Sequence, residues 1–242
     1  MKSESKNPYI LGLITARGGS KGIPRKNVTL VNGKPLIAWT IETALKSTSL
    51  SRVIVSTDDE EIARVSSDCS AEVPFLRPKE LAQDDSPHIP VIVHAIEWLE
   101  SHSNERPDYV FLFEPTSPFR SVEDIENATR LVREKKADSV IGVCRAPSHP
   151  YNARLIAQDG RLENHGYRPE GYLYRQILPP VYVVNGAIYL VRRDVVIEKS
   201  TLITEKTYAY VMPAERSLNI DDPWDLYLAD LIFRDRNGAK DS

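Results

Sequence analysis

Arg17-Gly18-Gly19-Ser20-Lys21-Gly22-Ile23-Pro24-Arg25-Lys26-Asn27 packs four cations and no acid into one stretch of a chain whose net charge is −3. Glycine lets backbone N–H groups come close to a ligand, and a turn of this kind can form a nest for an anion. The arginines and lysines could then neutralise a polyphosphate, with arginine also offering a fork of donors. The spacing matches neither G-x-x-x-x-G-K-[ST] nor G-x-G-x-x-G, so neither a P-loop ATPase nor a dinucleotide-dependent dehydrogenase is indicated. A solvated basic loop is the plain alternative. Position favours phosphate, because the stretch follows the apolar run Tyr9 to Ile14, and ligands of open α/β sheets sit beyond the carboxyl ends of strands.

Other candidate residues are ambiguous on their own. The Arg77 guanidinium suits a pyrimidine carbonyl, but Arg77-Pro78 also suits a surface turn. Asp221-Asp222-Pro223 reads as an ordinary helix start, and Tyr189 as a strand residue filling a core. His88, His94, His102, His149 and His165 lack H-E-x-x-H or any paired metal spacing. Of these, His88 follows Asp84-Asp85 and Ser86 and reads as a polar side chain facing solvent, with a ribose contact as the alternative. Cys69 and Cys144 are too few for a disulfide framework or a cysteine-based zinc site.

The scaffold that must position these groups is an α/β one. Short β-branched and aromatic runs at Tyr9 to Ile14, Arg52 to Val55, Tyr109 to Phe113 and Val140 to Val143 read as strands buried on both faces. Between them, Ile37/Ile41/Ala44/Leu45, Ile89/Ile92/Ile96/Leu99 and Val122/Ile125/Ala128/Val132 recur at helical steps. Pro35 suits a first helical turn, and Ser121 with Asp124 resembles a capping pair. The alternation predicts a mostly parallel sheet with helices on both faces. Ala187 to Val191 and Tyr208 to Met212 read as later strands, and Trp224, Leu228, Leu231 and Ile232 mark a closing helix.

The 242 residues are read as a single domain spanning 1–242, with an arm at 145–184 where prolines and tyrosines replace the apolar runs. Such an arm suits a subunit interface, so a homodimer is expected. Lys plus Arg at 31 against Asp plus Glu at 34 argues against bulk-charge binding to nucleic acid. No apolar run approaches the ~20 residues of a membrane span. The start MKSESKNPY lacks a signal-peptide pattern, so a cytoplasmic protein is expected.

Leu13-Ile14-Thr15-Ala16-Arg17-Gly18-Gly19-Ser20-Lys21-Gly22-Ile23-Pro24-Arg25-Lys26-Asn27 resembles the opening motif of the acylneuraminate cytidylyltransferases. Val55-Ser56-Thr57-Asp58, Arg77-Pro78 with Glu80-Leu81-Ala82, Pro115-Thr116-Ser117-Pro118-Phe119-Arg120, Asn185-Gly186-Ala187-Ile188-Tyr189 and Ile220-Asp221 follow in the family's order. The resemblance implies a three-layer α/β/α, Rossmann-like nucleotide-diphospho-sugar transferase fold. It implies an enzyme that joins CTP to an acidic nine-carbon or related 2-keto sugar, with Mg²⁺, releasing pyrophosphate and forming a CMP-sugar.

Carried over by residue, Ala16, Arg17, Gly18, Gly19, Ser20, Lys21, Lys26 and Asn27 would line the nucleotide, and Arg77 would help hold the cytidine. Arg17, Lys26 and Asp221 would be catalytic. Glu114, Arg175, Asn185 and Tyr189 would face the sugar, Arg175 pairing with its carboxylate. Asp221 and the residue at Asn219 would hold the metal. Two positions depart from the pattern. Asn219 stands where the family has the first aspartate of D-x-D, bringing a neutral oxygen instead of a charge. Glu114 stands where glutamine is common, which predicts either an acceptor bearing an amino group or a salt bridge to a nearby arginine. The alternatives are nucleotidyl transfer to another sugar acid or a sugar 1-phosphate, and a nucleotide-binding relative that has lost catalysis.

Overall fold

The structure, a computed structural model, describes residues 7–84, 86–166 and 178–238. Its strands are β1 (Ile10–Thr15), β2 (Leu30–Val31), β3 (Lys34–Pro35), β4 (Arg52–Ser56), β5 (Tyr109–Phe113), β6 (Ser139–Arg145), β7 (Arg154–Ile156), β8 (Leu162–Asn164), β9 (Tyr182–Arg192) and β10 (Thr207–Val211). Its helices are α1 (Leu36–Leu45), α2 (Glu60–Asp68), α3 (His88–His102), α4 (Val122–Lys135), α5 (Arg193–Lys199) and α6 (Pro223–Gly238).

The main sheet runs β10-β6-β9-β5-β1-β4. β1 pairs in parallel with β4 and β5, and β6 with β10, while β9 lies antiparallel between β5 and β6. Alternate side chains of the central strands go to opposite faces, as the pleat requires. Ile10, Ile14, Phe111 and Phe113 pack with Ile37 and Ile41 of α1 and with Ile125 and Val132 of α4. Leu11, Leu13, Val110 and Leu112 pack with Ile92 and Ile96 of α3 and with Val195 and Val196 of α5. This is the predicted α/β architecture, with helices on both faces of a mostly parallel sheet.

A third apolar cluster concerns the site directly. Ile23, Val31, Leu36, Phe119, Ile220, Ala229 and Phe233 join the end of the basic loop to the start and body of α6. Trp39 stacks on Phe233 with ring centroids 3.9 Å apart.

The helix starts follow local chemistry. Ser121 and Asp124 form a full capping box at α4. Pro35 sits at the N-cap of α1, just ahead of the helix instead of in its first turn. Two helices, α2 and α5, have no counterpart in the sequence reading, because each is short and buries only two residues.

β6 and β9 run longer than their apolar stretches. Their antiparallel pairing continues through Cys144↔Val183 and Arg145↔Tyr182 into exposed residues. The expected arm at 145–184 contains the antiparallel pair β7–β8, separate from the main sheet; residues 167–177 of it lie outside the described residues. Among the described residues no helix is long and apolar enough to cross a membrane.

Asp124 ties α4 to the segment after β10. It accepts from Arg216 Nε at 3.0 Å and Nη2 at 2.8 Å, and from Tyr210 Oη at 3.1 Å. Burial disfavours its charge, but the Arg216 guanidinium and the Ser121 donors hold the carboxyl below the usual carboxylate range. Replacing Asp124 with Ala should cost about 2 kcal/mol, from the lost cap and charged hydrogen bonds, read as a lower urea midpoint at unchanged slope. Because the folded-state pKa is lowered, the wild type's advantage is present above about pH 4 and fades as pH falls further.

Candidate active site

The carboxyl ends of β1 and β5 open into a cleft of about 430 Å³. Arg17, Ser20, Lys21, Lys26 and Asn27 line it, as do Arg77, Glu114 and Asp221. The fold therefore gathers into one space the cationic loop, the isolated arginine, the family-variant glutamate and the late aspartate.

The loop is shaped by short-range contacts. Gly18 N donates to Asp58 Oδ1 at 3.0 Å, and a Cβ on Gly18 would fall 2.6 Å from Asp59 Oδ2. Asn27 is buried and donates its amide to the Arg17 carbonyl at 3.0 Å, bracing the turn. Ala16 is buried too, its N–H bonded to Ser56 O at 3.1 Å. Arg25, in the left-handed region at φ 56°, pairs with Asp59 and Glu61 at the start of α2. It leaves Arg17, Lys21 and Lys26 as the loop cations that line the cleft.

Those three are already engaged. Asp84 accepts from Arg17 Nη1 at 2.6 Å and from Lys21 Nζ at 2.8 Å. Lys21 first, and then Arg17, keep the Asp84 carboxyl below the usual range. Lys26 donates to Ile220 O at 2.8 Å and lies 3.4 Å from Asp221 Oδ1. Gly22 meets the same segment: a Cβ there would come within 2.5 Å of the Asp221 carbonyl oxygen.

Arg77 is 6% exposed, yet its Nε and Nη2 have no hydrogen-bond partner among the described residues. Its backbone N–H bonds Thr57 O at 2.7 Å, and its nearest carboxylate, Asp58, stands 3.8 Å from Nη2. Burial lowers its pKa and Asp58 opposes that. Buried donors are normally satisfied, so two free ones beside a cleft mark a place for an acceptor-bearing ligand.

The two aspartates before α6 divide the work that sequence left undivided. Asp222 accepts from Asp225 N at 2.9 Å and so starts the helix. The Asp221 carboxylate, 70% exposed, faces the cleft. Asn219 donates from Nδ2 to Asp221 Oδ2 at 2.7 Å and accepts from Ser117 Oγ at 3.3 Å. Its amide thus orients the aspartate.

On the β5 side, Glu114 Oε1 lies 3.2 Å from His88 Nε2. Its ion-pair partner among the described residues is therefore a histidine, and not the arginine that the sequence suggested. Gly186, at φ +70°, makes room for this carboxylate, since a Cβ there would sit 2.8 Å from Glu114 Oε2. Tyr189 is half-buried on β9, its ring centroid 6.2 Å from that of His88. Burial and then Glu114 push its hydroxyl up to about 12.

Asn185 is not brought to the cleft. It is 4% exposed, and its amide bonds Ser217 Oγ at 3.0 Å, Met212 Sδ at 3.2 Å and Ala187 N at 3.1 Å. Arg175 lies outside the described residues. Sequence reasoning gave Asp84 no role and preferred a solvent-facing position for His88, with a ribose contact as the alternative; the structure places both on the cleft. Both lie in the stretch after Leu81, and the signal available was the density of polar side chains there. Arg120 was quoted only as part of a motif. It is buried, donating from Nε to Ala187 O and from Nη2 to Glu114 O, so it clamps β9 to the end of β5.

Residues 11–212 match the family described as Cytidylyltransferase. The chain belongs to that family. It is a nucleotidyltransferase. Relatives include the CMP-N,N'-diacetyllegionaminic acid synthase of Legionella pneumophila, 35% identical over 93% of this chain and 96% of that protein. The N-acylneuraminate cytidylyltransferase of Escherichia coli is 32% identical over 96% of this chain and 54% of its own longer chain. Among solved structures, a CMP:2-keto-3-deoxy-manno-octonic acid synthetase complexed with CTP superposes with a TM-score of 0.71 at 17% identity. It covers 94% of this chain and 99% of its own. That likeness is one of fold.

The Gly22–Asp221 approach is specific enough to test. Gly22→Ala should push the loop off the Asp221 backbone and weaken CTP binding by about tenfold or more, measured by calorimetry. The two clusters on the faces of the sheet are untouched, so the melting temperature should move by only a few degrees.

Proposed function

We propose that this cytidylyltransferase joins CTP to an acidic 2-keto sugar of the nonulosonic type, forming a CMP-sugar and pyrophosphate. One observation carries the reading: Arg17, Lys21 and Lys26 share a cleft with Asp221 and Glu114 at the carboxyl ends of β1 and β5. The names of the Legionella and E. coli relatives support the class of acceptor.

In the proposed reaction an acceptor hydroxyl oxygen bonds to the α-phosphorus of CTP while the bond to the bridging oxygen of pyrophosphate breaks. The electron pair leaves with pyrophosphate, and the hydroxyl proton is released. The protein contributes position and charge, with no covalent intermediate on the chain. Arg17, Lys21 and Lys26 neutralise the leaving pyrophosphate, where charge grows most. The free Nε and Nη2 of Arg77 would meet the carbonyl of the cytosine ring. Glu114 and Tyr189 would face the acceptor, with Asn185 acting one layer behind them through its bond to Ala187 N.

Mg²⁺ fits as the counter-ion of the triphosphate. Among the described residues no group of three His, Cys, Asp or Glu side chains could hold a metal alone, and magnesium commonly takes one or two carboxylates plus substrate phosphates. Asp221 supplies that one exposed carboxylate, with Asn219 orienting it. When bound, the ion would offset phosphate charge.

The proposed homodimer is supported by apolar side chains that lie exposed among the described residues. Leu155, Ile156 and Leu162 of β7–β8, together with Val183 and Val184, are exposed. Ile156→Asp should convert a dimer to a monomer in light scattering at micromolar concentration.

Supplying each of four nucleoside triphosphates with a panel of 2-keto sugar acids should release pyrophosphate with CTP and yield a CMP-sugar by mass. Release with another triphosphate, or with sugar 1-phosphates in place of acids, would refute the assignment. Arg17→Ala should lower kcat by roughly 10²-fold, and Asp221→Ala should remove the rate response to Mg²⁺.

A further inference from the structure

A carboxylate on the wall of a cleft that receives anions needs an answer, because an uncompensated charge away from bulk water is costly and repels its own ligand. Glu114 is such a carboxylate, its side chain 19% exposed. The cations of the basic loop are committed elsewhere, to Asp84, Ile220 and Asp221. The buried Arg120 guanidinium lies under Glu114 and offsets part of its charge from a distance, but the donor it gives there, Nη2, goes to the backbone carbonyl at 3.3 Å and not to the carboxylate. Among the described residues, the ion-pair partner of the Glu114 side chain is His88, at 3.2 Å. Both line the cleft, opposite the loop that would hold the triphosphate.

We propose that His88 is a specificity-determining residue of this enzyme: protonated, it cancels the charge of Glu114 and makes the acceptor wall neutral toward a sugar acid. Deprotonated, it leaves that wall negative and the acid is repelled. The inference rests on the proposed acceptor class and adds to it the residue that lets an acidic substrate approach a glutamate.

Three groups face the His88 ring. Glu114, from the end of β5, favours the imidazolium; burial and Arg77 oppose it; Tyr189, from β9, is neutral across the working range. The balance lies above the ordinary histidine value of about 6.5. The charged form therefore predominates below that value and is lost as pH rises through the raised one. Acceptor binding should weaken over the same interval, whereas the nucleotide meets the opposite side of the cleft.

The test is the KM for N-acylneuraminic acid or N,N'-diacetyllegionaminic acid, whichever the wild type uses, alongside the KM for CTP from pH 6 to 9. In the wild type the acceptor KM should rise roughly threefold to tenfold, as expected for one like charge in a partly screened cleft, and the KM for CTP should not follow it. His88→Gln, neutral at every pH, should show a high, flat acceptor KM even at pH 6. Adding Glu114→Gln should return that KM toward the wild-type value at pH 6, because no charge then remains. The His88 side chain is 49% exposed, so melting curves of the variants should stay close to the wild type.

A flat wild-type profile matching that of His88→Gln, or a double variant that fails to recover, would overturn the role of His88 while the enzyme's reaction stands. Absence of turnover with every sugar acid at every pH would overturn the reading of the cleft, and the role of His88 with it.

Discussion

The cleft exists because Gly22 and the backbone of Asp221 lie in contact. A side chain at position 22 would occupy the place of the Asp221 carbonyl, so the loop after β1 can close on the segment before α6 only through glycine. Lys26 strengthens the same seam by donating to Ile220 O, and Ile220 N in turn bonds Thr116 O at 2.8 Å. Three loops, following β1, following β5 and preceding α6, are thereby held together. Beneath them the cluster around Ile23, Ile220 and Phe233 buries apolar surface. Its burial supplies the cohesion, and the hydrogen bonds set the register that brings cations and a carboxylate face to face.

How much of this could be read in advance follows from what each residue depends on. β1 and β5 are runs buried on both faces, and their apolar character alone marks them. α4 announces itself because Ser121 and Asp124 complete a cap from four consecutive residues. The antiparallel insertion of β9 leaves no such trace, since pairing partners are chosen by the whole sheet. α2 hides because most of its residues face water. The same division runs through the site. The basic loop is contiguous and was recognisable, whereas Asp84 on Arg17 and His88 on Glu114 join segments distant in sequence, and only the folded chain shows that their polarity has a partner.

The two positions that depart from the family's usual residues make sense once their neighbours are known. Asn219 replaces a carboxylate by an amide whose N–H binds Asp221, so the Asp221 side chain is held in a fixed orientation by a neutral partner at that position. Glu114 adds a charge, but the glycine at 186 leaves it space and His88 gives it a partner. Arg120, buried between the strands carrying these residues, holds the carbonyls of both Glu114 and Ala187. The polar wall is therefore built from the backbone of the sheet outward.

Asp84 deserves a different emphasis from the residues around it, because it already sits on Arg17 and Lys21. In the proposed reaction a phosphate chain arriving at these side chains would meet a resident anion and have to evict it, so occupancy would be an exchange between rivals for the same two donors. Such competition would moderate how tightly the newcomer is held, with the displaced carboxylate tethered nearby to reclaim its place as the spent diphosphate departs. A counter-ion fixed to the chain would in this way favour turnover over retention.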